Sequence, residues 1–160
     1  MLSALRRLAV MLGLIAVSSG GAEASSIVSD VQSAAEWIAK ALSSSGYHAD
    51  FSLGSLREID RFLDDQAPGG RVRPGGLLSE QLGQRIFGLG AYTGEVLRRR
   101  CGGNWEGNDA DPNAEINIAL KLADGSLIWP VQRVMKRFKG GAEDGIYAYG
   151  VVLCREKQRQ

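Results

Sequence analysis

Residues 79–105 read SEQLGQRIFGLGAYTGEVLRRRCGGNW, and the reading of this stretch decides the fold. Leu82, Ile86, Leu89, Thr93, Val96 and Leu97 fall within about 100° of arc at helical spacing. The spacing predicts one long amphipathic helix whose stripe faces the core. Gly83, Gly90 and Gly94 line the adjacent flank. Each glycine inside a helix costs roughly 1 kcal/mol relative to alanine, so such a flank predicts close approach of another backbone. The remaining face carries Gln81, Gln84, Arg85, Tyr92, Glu95 and Arg99. It reads as a solvated face with a Glu95–Arg99 pair at i,i+4, or as a recognition face. Arg98, Arg99 and Arg100 place positive charge at the C-terminal end of the dipole, and Gly102-Gly103 supplies the stop.

The chain of 160 residues suits one domain behind a leader. Residues 1–24 have the form of a cleaved signal peptide: Arg6 and Arg7, then the apolar run LAVMLGLIAV (8–17), then Ala22-Glu23-Ala24. That run falls short of the roughly 20 apolar residues a membrane span requires. Residues 25–160 then form the mature domain, periplasmic or secreted. The precursor carries a net charge of +1, and cleavage removes two arginines and one glutamate, leaving balanced charge. Bulk electrostatics give no case for nucleic-acid binding. Cys101 and Cys154 are the two cysteines, and in an oxidising compartment they are expected to form a disulfide.

Ser29–Gln32 has the capping-box pattern, and a first helix is predicted over about 30–43. Ser55–Glu58 repeats the pattern ahead of Leu56, Ile59, Phe62 and Leu63, predicting a second helix to about Asp65. Residues 67–76, APGGRVRPGG, read as a loop. Gly103–Trp105 opens a strand. Ala114–Leu122 alternates apolar and polar residues and reads as the best strand. Asp124-Gly125 is a hairpin signal, with Ser126–Trp129 returning. Pro130 begins a short helix carrying Arg133, Lys136, Arg137 and Lys139. Ile146–Leu153, IYAYGVVL, reads as a β-rich last strand. The order predicts an α+β domain in two layers: N-terminal helices and the long helix, packed on a small, mainly antiparallel sheet.

The elements SLREIDRFL (55–63), GAYTGEVLRRRCGGNW (90–105) and DGSLIWPVQRVMKRFKGG (124–141) resemble a small bacterial domain family without an assigned function. Comparable domains occur as immunity or accessory proteins. The resemblance transfers no catalytic residue. The leader and Cys101 depart from the cytoplasmic members.

The chemistry-bearing residues are sparse. His48 is the only histidine. Asp109, Asp111 and Asn113 begin a calcium-loop pattern that fails at Ala114 and Leu120. No metal cluster, cofactor fingerprint or nucleophile motif is present in the sequence. A hydrolase would have to be assembled from Glu95 and His48. The candidate binding residues are Tyr92, Glu95, Arg99 and Trp105. The expected role is a non-catalytic binding, immunity or inhibitor-like module whose partner is another protein of the cell envelope, with no cofactor. A structural or stress-linked envelope protein is the alternative.

Overall fold

The computed structural model describes residues 26–156. The leader expected over residues 1–24 lies outside that range. Six helices and three strands follow in the order α1 (Ile27–Ser44), α2 (Leu56–Gln66), α3 (Leu82–Cys101), β1 (Gly103–Glu106), α4 (Ala114–Asn117), β2 (Ala119–Leu122), β3 (Leu127–Ile128), α5 (Pro130–Gly140) and α6 (Ile146–Glu156). The fold is α+β. The strands form an antiparallel meander in the order β1-β2-β3, with Trp105 opposite Leu120 and Leu120 opposite Ile128. Gly125, in the left-handed region at φ 89°, makes the β2–β3 turn where the Asp-Gly pair predicts it.

Helix α3 is the axis. Its expected solvated face is solvated only at the two ends, at Gln81, Gln84 and Arg99, whereas every residue from Ile86 to Leu97, Tyr92 and Glu95 included, is buried. The reason lies in its small residues. A Cβ built at Gly90 would stand 2.5 Å from Val131 Cα of α5, and one at Gly88 would stand 3.3 Å from Ile38 of α1. Gly94 receives the Trp105 indole and the Pro130 ring. These glycines let two helices and β1 close around one cylinder, so the middle of the helix buries its whole circumference rather than a stripe. The expectation of close backbone approach holds at Gly90, and Gly94 meets an equally close approach by rings. It does not hold at Gly83, where a Cβ would meet nothing within 4 Å.

Helix α1 starts earlier than the Ser29 box predicts. Ser26 is the cap, accepting from Ser29 N at 3.2 Å, and Asp109 Oδ1 accepts from Ile27 N at 2.7 Å. This start adds Ile27 to the buried stripe of Val31, Ala35, Ile38 and Leu42. Ahead of α2, Ser55 makes no side-chain cap; Ser52 instead caps the 3-10 turn Leu53–Ser55 that leads into the helix, its hydroxyl accepting from Ser55 N at 3.2 Å.

Two predicted strands are corrected. Residues 114–117 form the helical turn α4, because Asp111 closes an Asx turn on Asn113 N (2.8 Å) and takes Asn117 Nδ2 (2.8 Å). The strand begins only at Ala119. Residues 146–156 form helix α6 and not a strand. Asp60 of α2 supplies its first-turn acceptor, with Oδ1 2.9 Å from Ile146 N and Oδ2 3.0 Å from Tyr147 N. Gly150 packs against Leu56, Leu53 and Leu97, and Arg57 and Arg133 lie over the Tyr147 and Tyr149 rings. Cys101 and Cys154 form the expected disulfide, which joins the last residue of α3 to α6 with Cα atoms 5.2 Å apart.

Candidate functional site

The residues singled out from the sequence are brought into one region, with Tyr92, Glu95 and Trp105 buried and Arg99 at the surface. Glu95 has its side chain only 4% exposed. Its carboxylate accepts from Arg98 Nε at 2.7 Å and Nη2 at 3.1 Å, from Arg99 Nε at 3.2 Å, and from Trp105 Nε1 at 2.8 Å. Burial pushes the Glu95 carboxyl up. The hydrogen bonds from Arg98 and Trp105 and the Arg98 charge outweigh it and hold the group below the ordinary carboxylate range. Glu95 is therefore a fixed anion.

Tyr92 is fully buried. Its hydroxyl lies 2.6 Å from Ser55 Oγ and accepts from Phe51 N at 3.0 Å. Burial raises its phenol above the ordinary value, against lowering by those two hydrogen bonds. Arg99 spans the surface between Glu95 and Glu36 (2.7 Å) and lies over the Phe51 ring at 3.7 Å. The four residues knot α3 to β1, α1 and the 51–55 turn.

The other sequence candidates are occupied as well. The His48 ring lies on the surface, 3.0 Å from Asp50 Oδ2, while the Glu95 carboxylate is bonded to Arg98, Arg99 and Trp105. Asp109 and Asp111 are used on α1 and α4 as described, and no group of three or more metal-ligating side chains occurs among the described residues. In the glycine-rich loop, N–H groups of Gly70, Arg71, Arg73 and Gly76 already donate to local carbonyls. On α5, Arg137 is buried against Asp60 (2.9 Å) and Asp64 (2.7 Å), and Lys136 pairs with Asp144 (3.1 Å). The expected basic face of α5 is thus largely neutralised within the fold.

What the sequence reading missed is a groove. Leu82, Gly83, Ile86 and Phe87 of α3 form one wall, Val131, Met135 and Phe138 of α5 the other, and Glu115 and Ile116 of α4 the end. Its volume is about 310 Å³, at the lower end of ligand-sized pockets. Ile116 is 39% exposed. The groove exists because α4 is helical: the turn lifts Ile116 away from the sheet and sets it beside α5, where Gln132 Nε2 donates to Ile116 O at 3.3 Å. Spacing alone reads Gly83 as a close-packing glycine like Gly90 and Gly94, and only the structure shows that no neighbour demands it.

No protein-family model, curated protein or solved structure matches the chain. No helix among the described residues is long and apolar enough to cross a membrane.

Proposed function

We propose that this is an exported, non-catalytic binding module, periplasmic or secreted, that engages another protein of the cell envelope through the groove between α3, α4 and α5. The observation that carries the reading is the groove itself: a concave apolar surface with an exposed isoleucine, on a molecule whose buried acid is consumed by structural bonds. The disulfide and the leader-like sequence of residues 1–24 support export. A rigid scaffold stapled at Cys101–Cys154 suits recognition by contact, because a preformed surface loses little entropy on binding.

In-cell photocrosslinking tests this. Benzoylphenylalanine at position 116 is expected to give a discrete protein adduct that Gly83→Phe abolishes. The same group at position 152, exposed on α6, is expected to give none. Equal labelling at both positions, or an adduct indifferent to Gly83→Phe, would overturn the groove as the binding surface.

A further inference from the structure

The groove is electrically polarised, and this defines what it takes. The start of α5, Pro130 and Val131, lies against Gly94 and Gly90, while its later residues Met135, Phe138 and Lys139 line the groove with Leu82, Gly83, Ile86 and Phe87, so α5 runs toward the N-terminal end of α3. The first turn of α3 therefore lies beside the last turn of α5, and Leu82, Gly83 and Lys139 share one end of the groove. Gln132, bonded to Ile116 O and Asn117 Oδ1, fixes α4 at the other end, with Glu115. From Gln132 to Lys139 is two helical turns, roughly 10 Å.

The charges at the two ends are the unused ones. Arg133, Lys136 and Arg137 of α5 are paired with Asp144, Asp60 and Asp64, whereas Lys139 makes no ion pair among the described residues. Asp109 and Asp111 bond to Ile27 N, Asn113 N and Asn117, whereas Glu115 makes no hydrogen bond or ion pair among the described residues. The Lys139 end also faces the start of a helix of 20 residues whose N-cap, Gln81, sits in the left-handed region at φ 52° and caps nothing with its side chain. The partial positive charge of those first-turn N–H groups is offset by the carbonyl end of α5 beside it, so the positive character of this end rests on the Lys139 ammonium.

Gly83 is the second unexplained feature. It lines the groove, a Cβ there would touch nothing within 4 Å, and its φ requires no glycine. Alanine would favour the helix. What the glycine preserves is empty space in the groove.

Resting on the binding reading above, we propose that the occupant is a helical segment of a partner protein. It presents two or three apolar side chains on one face, with a basic residue at the Glu115 end and an acidic residue about two turns along at the Lys139 end. Two turns of helix match the separation of the groove's charges, and i, i+3, i+4 and i+7 side chains share a face. A single-chain carboxylate would satisfy Lys139 but set its tail against the Glu115 carboxylate, so the charge pattern favours the peptide.

The test is selection from a displayed library of random 15-residue peptides against the protein purified after export, followed by charge-reversal binding measurements. Selected peptides are expected to carry an apolar i, i+3, i+4 face flanked by opposite charges. Glu115→Lys is expected to weaken a selected peptide about five-fold, the upper range for an exposed ion pair, and replacing the peptide's basic residue by Glu is expected to restore it. Peptides lost with Gly83→Phe but indifferent to Glu115→Lys and Lys139→Glu would overturn the polarity assignment and leave the groove reading standing. If Gly83→Phe disturbs folding, Ile116→Ser at the exposed α4 position replaces it. No enriched peptide, or binding unchanged in the groove variants, would sink both. Saturable dodecanoate binding that Lys139→Glu abolishes, without peptide enrichment, would assign the groove to an acyl chain and overturn the proposal.

Discussion

At the scale of single residues, the buried carboxylate of Glu95 and the helical glycines show how side-chain chemistry is spent. Glu95, its side chain almost wholly buried, receives hydrogen bonds from two guanidinium groups and an indole. Glu95→Gln is expected to lower stability by about 2 kcal/mol, because Arg98 loses its counter-charge and one amide hydrogen is misplaced. The pH dependence follows from the depressed carboxyl. Its contribution is fully present above the ordinary value of 4.5 and is lost as pH falls through the lower folded value. The gap in urea unfolding free energy between native protein and Glu95→Gln should therefore narrow below about pH 4. A gap constant down to pH 3 would refute the structural role assigned to the charge. Gly83 and Gly90 make a contrasting pair. Gly90→Ala drives a methyl into the Val131 backbone and is expected to cost about 1–3 kcal/mol. Gly83→Ala meets open space and is expected to be neutral or stabilising by up to about 1 kcal/mol. Urea titration of the two variants separates a packing glycine from a groove glycine.

At the scale of elements, Asp60 does the work of a small domain junction. One carboxylate pairs with Arg137 of α5 and accepts the first two N–H groups of α6. Asp60→Ala is expected to cost about 2 kcal/mol, since it takes one of two carboxylates from a buried guanidinium, leaving only Asp64, and leaves a helix start uncapped. Hydrogen exchange should show α6 losing protection before α1 and α3; uniform loss across all helices would contradict the assignment. This junction also explains what the sequence could not reveal. The sequence IYAYGVVL favours a strand by local propensity, but its acceptor comes from position 60, remote in the chain, and no local pattern carries that information. The clue was Gly150, an awkward residue inside a strand and a close-packing one inside a helix. For α4, alternation at Ala114, Ile116 and Ile118 masked the Asp111-Pro112-Asn113 start signal. By contrast α2, α3, α5 and the Asp124-Gly125 turn were legible, because apolar periodicity, Pro130 and the glycines at Gly102 and Gly125 mark them. The candidate site was legible only as fragments. Tyr92, Glu95 and Trp105 are buried, with Arg99 at the surface above them, because Gly90 and Gly94 draw neighbours over the face that spacing alone leaves in solvent. The groove depends on α4 and so stayed hidden.

At the scale of the whole molecule, the disulfide and the groove sit on different ends of α3. Cys101 and Cys154 close a loop across a separation of 53 residues, for which chain entropy gives about 4 kcal/mol. A Cys101→Ser, Cys154→Ser double variant is expected to lose about that much stability in urea titration. The groove walls at Leu82–Phe87 and Val131–Phe138 are built by the other half of α3 and by α5, so a folded double variant is expected to keep partner binding. The account as a whole rests on one claim: the molecule works by contact along α3, α4 and α5. Hydrogen–deuterium exchange with and without the crosslinked partner or a selected peptide tests that most directly. The account predicts added protection confined to residues 82–87, 115–118 and 131–139. Protection centred instead on a second, more open hollow, lined by Phe51, Ser52, Leu53, Arg99 and Arg100, or on the exposed Trp37 of α1, would contradict it.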